Sequence, residues 1–412
     1  MPPAARNLFE KRFLDFPKLL MRPFSLLIKP ASADCNQDCA YCFYLNRSKP
    51  HPGQRRAHQR MTSKVLKRIV SSYMKTQQPQ YVFTWQGGEP TLMGIDFYQQ
   101  TVKLQQEYAA PGSTVANGLQ TNALLIDDKL AQFFARNHFL LGVSLDGPAN
   151  IHDHYRKYKN GNGSYHDVIK AIDCLARHNV EFNILTLVTQ ANVKKAKEVY
   201  QFLCEKGFYY HQYVECVEFD DKGQPLPYTI SGEEWGNFLC EIFDQWIKSD
   251  IYRVSIRLFD AVLAYLVQNQ YTVCSMGPAC GQYFVVEHNG DVYPCDFYVR
   301  DQLKLGNIEK DSWHDFLTSP VLANFAAQKS KWHDQCNQCE YQRFCRGDCL
   351  KNRLYTPNNP GQLSRLCSGW KMFYRHALPG FRAIADKIRR ERSVNPLVFL
   401  CAFVPLWLFL YQ

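Results

Sequence analysis

The 412-residue chain has little charge for its size, 21% Asp, Glu, Lys and Arg against 46% hydrophobic residues, which excludes a disordered protein and leaves a globular one. No secretory leader is evident. Residues 1–23, MPPAARNLFEKRFLDFPKLLMRP, mix charges and aromatics and offer neither an apolar core nor a small-residue cleavage site. That absence points to a reducing compartment, where disulfides are not the default and clustered cysteines bind metal. Motifs for RNA or DNA are also missing, and the basic residues are scattered. The net charge of 48 − 38 = +10 therefore fits solubility and attraction of an anionic cofactor or peptide, with no nucleic acid among the expected partners.

Against these absences stand sixteen cysteines, unevenly spread. Three lie within Cys35-x3-Cys39-x2-Cys42, and eight lie between Cys274 and Cys367. Three closely spaced thiolates hold three irons of a [4Fe–4S] cube, and the missing fourth ligand leaves one iron open to a substrate. Zinc completed by His51 or His58 is the alternative reading of the same spacing. The later set, Cys274, Cys280, Cys295, Cys336, Cys339, Cys345, Cys349 and Cys367, is the number needed for two fully ligated cubes. Two zinc sites are again the alternative. Cys174, Cys204, Cys216, Cys240 and Cys401 are isolated and read as buried free thiols, with Cys216 near a strand end where it could line a site.

After an extension over 1–22, apolar β-type runs recur at Phe24–Ile28, Tyr81–Trp85, Val115–Gln120, Leu140–Leu145, Glu181–Val188 and Gln212–Val217, with helical patterns between them. Thr62 is placed to cap a helix through about Gln77, Asp127 one through Asn137, and Asn192 one ending at Gly207. Strands separated by helices give parallel βα units. The expected fold is α/β, a partial (β/α)6 TIM-like barrel over 23–230, with chemistry on the loops after the strands. Residues 231–270 read as a helical bridge opened by a Ser231–Glu234 capping box. Residues 271–375 form a cysteine-rich domain containing a hairpin turned at Asn289-Gly290. A basic helix is expected over 376–393. The apolar tail, 394–412, follows Arg389, Arg390 and Arg392 and invites two readings: an anchor holding the body at the cytoplasmic face of a membrane, or a segment docked on the protein.

CNQDCAYCFY (35–44) resembles the signature of radical S-adenosylmethionine enzymes, and Gln86-Gly87-Gly88-Glu89-Pro90 resembles their glycine-rich cofactor loop. In that superfamily the open iron chelates S-adenosylmethionine, and reduction yields methionine and a 5′-deoxyadenosyl radical. Cys280-x9-Gly290-x4-Cys295 and C-x2-C-x5-C-x3-C resemble the auxiliary-cluster (SPASM) domain of peptide-modifying members. The resemblance implies interleaved ligands: Cys274, Cys280, Cys295 and Cys349 on one cluster, and Cys336, Cys339, Cys345 and Cys367 on the other. SLLIKPAS, QGGEPTL, LQTN, SLDGP, EFNIL, VSIR, VVEHNGDVYPCDFYV and LGNI extend the likeness from about residue 23 to 385. Together they are similar to anaerobic sulfatase-maturating enzymes, which oxidise a cysteine or serine in a C/S-x-P-x-R-like segment of a sulfatase to Cα-formylglycine. Another radical peptide maturase, one that crosslinks or excises a residue, is the alternative.

The resemblance implies three [4Fe–4S] clusters and S-adenosylmethionine as cofactors. Gly88, Ser144, Arg156 and Val217 match cofactor-contacting positions, Tyr44 a substrate-contacting one, and Asp296 the proton acceptor. It further implies an unfolded or nascent sulfatase as partner, a low-potential donor such as flavodoxin or ferredoxin, and action in the cytoplasm.

Overall fold

The computed structural model describes residues 22–44, 59–220, 222–353 and 361–394. His51, His58, Cys401, the extension 1–21 and the tail 395–412 lie outside the described residues.

Seven parallel strands follow one another across the sheet: β1 (Ser25–Lys29), β2 (Tyr81–Trp85), β3 (Val115–Thr121), β4 (Leu140–Ser144), β5 (Phe182–Val188), β6 (Tyr210–Glu215) and the two-residue β7 (Ser255–Ile256). Between them run α1 (Ser63–Tyr73), α2 (Gly94–Tyr108), α3 (Asp128–Arg136), α4 (Ala149–Tyr155), α5 (Tyr165–Arg177), α6 (Ala196–Glu205) and α7 (Gly232–Ser249). Strands β2 and β4 are buried along their whole length, as strands covered on both faces must be. Six parallel βα units confirm the partial barrel. The seventh strand was not anticipated, because two residues are too few to give a periodic signal.

The sheet continues beyond β1. β8 (Tyr283–Glu287) pairs with β1 in parallel, in unbroken register from Ser25↔Tyr283 to Lys29↔Glu287. A tight turn at Asn289-Gly290, with Gly290 at φ 86°, returns the chain as β9 (Asp291–Tyr293), and β10 (Gly306–Asn307) adds antiparallel to it. The cysteine-rich region is thus stitched onto the barrel's first strand.

Local signals behave as their chemistry requires, with two exceptions. The Thr62 and Asp127 side chains accept from Val65 N and Leu130 N, and Ser231 with Glu234 forms a complete capping box. Asn192 does not cap α6, which starts at Ala196. Its amide instead donates to the Asp146 and Leu187 carbonyls and accepts from Thr189 N, bracing the loops after β4 and β5. The expected basic helix over 376–393 is also longer. After α8 (Arg257–Gln268), α9 (Trp313–Thr318), α10 (Pro320–Gln328) and α11 (Gln342–Cys345), α12, the last helix among the described residues, spans Cys367–Val394 and contains Pro379. Its first residue is therefore one of the clustered cysteines.

α12 lies against α7 through glycine. A Cβ on Gly369 would stand 2.0 Å from the Gly232 carbonyl oxygen, and one on Gly236 2.8 Å from Gly369 Cα. Gly369→Ala should therefore separate the two helices and destabilise the protein by about 1–3 kcal/mol. Urea unfolding checks this, and unchanged stability would contradict the contact. Burial also fixes a protonation state. His211 is fully buried, donates from Nε2 to the Phe208 carbonyl and accepts at Nδ1 from Tyr213, and desolvation pulls its pKa down to about 4. The unfolded chain binds the extra proton first, so His211 costs stability as pH falls below its ordinary value near 6.5. The stability difference between wild type and His211→Gln should shrink by about 1.4 kcal/mol per unit from pH 6.5 to 5. A pH-independent difference would contradict it.

Candidate active site

The functional side chains gather where the parallel strands end. β1 runs into the Cys35–Cys42 loop, and three neighbouring strand ends hold it. Gly88 after β2 sits at φ 54°, and a Cβ there would lie 2.1 Å from the Asp34 carbonyl oxygen. Glycine is needed because the cluster loop itself passes against this backbone, and Glu89 N donates to the same carbonyl at 2.8 Å. The buried Glu89 carboxylate then accepts from Thr91 N, Thr91 Oγ1, Thr121 Oγ1 and Asn122 N at 2.6–2.9 Å, tying β2 to β3. Asn122 Nδ2 in turn donates to Asn36 Oδ1 at 2.7 Å, within the loop.

At the ends of β4 and β5, Asp146 is the second brace. Its carboxylate accepts from Tyr41 OH at 2.5 Å, Arg156 Nε at 3.0 Å and Leu187 N at 3.1 Å. Arg156 is buried, and although desolvation opposes its charge, the Asp146 carboxylate keeps it firmly protonated. Ser144 Oγ accepts from Gln120 Nε2 at 3.0 Å. Val217, after β6, is fully buried. Cys216 beside it packs with Tyr41, Tyr228, Cys39 and Tyr155, so it lines the region around the first cysteine loop.

The eleven clustered cysteines form three separate neighbourhoods. Cys35 and Cys39 are each pushed up to about 12, foremost by burial, and the charges of Cys39 and Cys42 add to the effect on Cys35. Burial likewise raises Cys280 to about 11 and Cys295 to about 12, and raises Cys349, whereas Cys274 at the edge of this group is exposed. Cys349 feels Cys274, Cys295 and Cys280, and Cys295 feels Cys280 and Cys274. Cys336, Cys339, Cys345 and Cys367 line one small cavity together. Cys349 thus stands near the hairpin cysteines, apart from its neighbours in sequence. Such thiols cannot ionise together in a low-dielectric interior without compensating cations, which is what bound iron supplies. Among the described residues no disulfide forms, and Cys174, Cys204, Cys216 and Cys240 are free, buried or half-buried thiols.

Asp296 follows Cys295 directly and is buried. Its carboxylate accepts from Gln86 Nε2 at 3.2 Å, at the end of β2, and forms an ion pair with Lys29, the last residue of β1. The Lys29 ammonium also lies over the Tyr44 ring, 3.5 Å from its centroid, and Tyr44 OH donates to Glu287 Oε1 at 2.6 Å. Lys29 and Glu287 were not singled out as site residues. A lysine closing a strand reads as solvent-facing, and Lys29 is 1% exposed. The only trace was its place within SLLIKPAS.

Comparison with known proteins agrees with this geometry. Residues 30–203 match the Radical SAM superfamily, and 274–340 match an iron-sulfur cluster-binding domain. The chain is 35% identical over 390 residues to a serine-type anaerobic sulfatase-maturating enzyme of Bacteroides thetaiotaomicron, covering 90% of this chain and 94% of the relative. It is also 35% identical over 373 residues to a cysteine-type enzyme of Clostridium perfringens, covering 90% and 100%. The solved structure of native anSMEcpe with bound AdoMet and Cp18Cys peptide superposes with a TM-score of 0.83 at 34% identity, covering 89% of this chain and 100% of that one. Likeness at this identity over nine-tenths of the chain shows the family: the chain belongs to the anaerobic sulfatase-maturating enzymes of the radical SAM superfamily.

Proposed function

We propose that the protein oxidises a cysteine or serine, within a C/S-x-P-x-R-like segment of a sulfatase, to Cα-formylglycine. The observation that carries the reading is the buried Asp296 carboxylate. It is reached from Gln86 and Lys29 at the ends of β2 and β1, and it follows Cys295 in the chain.

The donor sets fit three [4Fe–4S] clusters: Cys35, Cys39 and Cys42 on an open one, Cys274, Cys280, Cys295 and Cys349 on the second, Cys336, Cys339, Cys345 and Cys367 on the third. Bound S-adenosylmethionine with the first cluster supplies removal of a hydrogen atom from the substrate Cβ. The chain's own residues do the rest. Gly88 and Val217 offer backbone to the cofactor, and Ser144 offers its hydroxyl. Arg156 already gives Nε to Asp146, so a bidentate grip on the cofactor carboxylate falls to its two Nη groups. Tyr44, fixed by Glu287 and Lys29, borders the substrate. Asp296 takes the thiol or hydroxyl proton as the carbon radical gives up its electron, with Gln86 and Lys29 holding the carboxylate in place. Clusters held by the two sets of four cysteines would supply an acceptor for that electron, and flavodoxin or ferredoxin is the class of donor that would reduce one held by Cys35, Cys39 and Cys42. Action in the cytoplasm matches the supply of S-adenosylmethionine and low-potential electrons. No helix among the described residues is long and apolar enough to cross a membrane.

Two variants and one assay test this. The reduced, anaerobic enzyme should convert a C/S-x-P-x-R peptide to an aldehyde. Mass spectrometry should read loss of two hydrogens from serine, or loss of one sulfur and two hydrogens with gain of one oxygen from cysteine. No mass change on either peptide contradicts the function. Cys35→Ala should abolish cofactor cleavage. Asp296→Asn should keep cleavage yet slow aldehyde formation by about 100-fold or more, the range of general-base catalysis. Wild-type aldehyde rates in Asp296→Asn would remove its role.

A further inference from the structure

Between the two auxiliary cysteine sets lies a buried pair of cations that the reaction, as described, does not use. Lys329, just after α10, is 1% exposed, and Arg353 is fully buried. Among the described residues neither is bonded to a carboxylate. The Lys329 ammonium donates to the carbonyls of Ser275 at 2.9 Å, Arg346 at 3.3 Å and Asp348 at 2.5 Å. Those carbonyls adjoin Cys274, Cys345 and Cys349 in sequence, so one ammonium is anchored to ligand loops of both sets. Arg353 donates to the carbonyls of Gly347 at 2.5 Å, Arg346 at 2.9 Å, Asp348 at 3.0 Å and Lys329 at 3.1 Å.

The connecting backbone is shaped to these charges. Arg346, Gly347 and Asp348 are three consecutive left-handed residues, at φ 48°, 70° and 66°. Two of them are not glycine, and each carries roughly 1 kcal/mol of conformational cost. The result is a run of carbonyls turned onto two cations. A Cβ on Gly347 would lie 2.5 Å from an Arg353 nitrogen, so the loop closes tightly around the guanidinium. The Asp348 carboxylate is turned to other partners: it accepts from Cys349 N, Asn352 Nδ2 and Ser364 Oγ at 2.6–3.1 Å. The Lys329 charge acts on Cys274, Cys280 and Cys345, and that of Arg353 on Cys280 and Cys336, while at Cys345 the Asp348 carboxylate acts in the opposite sense and more strongly.

We propose that Lys329, backed by Arg353, raises the reduction potentials of both auxiliary clusters and so makes them acceptors for the electron leaving the substrate. Adding an electron makes a thiolate-ligated cluster more negative. A fixed positive charge nearby in a low-dielectric interior stabilises that reduced state over the oxidised one. Carbonyl partners bond the cations without neutralising them, and the opposing charge at Cys345, Cys349 and Cys367 is that of the buried Asp348 carboxylate. Lys329 is thus a positioning residue that acts through the clusters and touches no substrate. The proposal rests on the assignment of two auxiliary clusters.

The test is a redox titration of the reconstituted full-length enzyme, followed by electron paramagnetic resonance with iron determined in parallel. Signals that change when S-adenosylmethionine is added belong to the first cluster, and the others to the auxiliary pair. Lys329→Met should shift both auxiliary midpoints to more negative potential, while Lys329→Arg should leave them near wild type. Full iron with unmoved midpoints in Lys329→Met overturns the proposal. If Lys329→Met fails to hold iron, Lys329→Gln takes its place. Loss of iron from both neutral variants, with retention in Lys329→Arg, would make the residue a scaffold and also overturn it. A wild-type chain without cofactor-insensitive clusters would instead refute the cluster assignment itself.

Discussion

The parallel pairing of β8 with β1 is the constraint on which the site depends. Five consecutive residue pairs, Ser25↔Tyr283 to Lys29↔Glu287, fix the cysteine-rich region to the strand that carries the first cysteine loop. Register on a sheet is all or nothing, because a shift of one residue turns every side chain to the other face. A slip here would part Lys29 from Asp296 and Tyr44 from Glu287 together. The Cys35–Cys42 loop and the Asp296 carboxylate are brought to the same end of the sheet because that register holds.

Around this pairing the protein uses buried charge as structural material. Glu89 ties β2 to β3, Asp146 gathers Tyr41, Arg156 and the β5 end, and Lys29 joins Asp296 to Tyr44. Unpaired, each would be costly in the interior; satisfied by several partners, each fixes one geometry. The first cysteine loop is short of regular secondary structure, so its shape is imposed by these contacts. The same device recurs at Lys329 and Arg353, where backbone carbonyls take the place of carboxylates as bonded partners.

Much of this was legible in the sequence, for identifiable reasons. The strand–helix alternation announced six parallel units because buried strands are continuous apolar runs. Thr62, Asp127 and Ser231 announced helix starts because capping is a local hydrogen bond. The cysteine spacing, with its resemblance, implied a separation into an open triad and two interleaved sets of four, and in the structure Cys349 stands near the hairpin cysteines while Cys336, Cys339, Cys345 and Cys367 line one cavity. What stayed hidden was long-range. Asn192 looked like a helix cap but braces two loops, since its partners lie on different strands. The last helix begins nine residues early because Cys367 joins it to the cysteine sets. Lys29 and Glu287 gained meaning only once β8 was seen beside β1, about 250 residues away in the chain.

The proposed reaction begins with removal of a hydrogen atom from the β-carbon of a peptide residue. The direct measurement uses a C/S-x-P-x-R peptide deuterated at that carbon, incubated with the reduced enzyme and unlabelled S-adenosylmethionine. Deuterium should appear in the released 5′-deoxyadenosine in step with loss from the peptide. Deoxyadenosine that stays unlabelled while the peptide is oxidised, or no deoxyadenosine at all, would contradict the account.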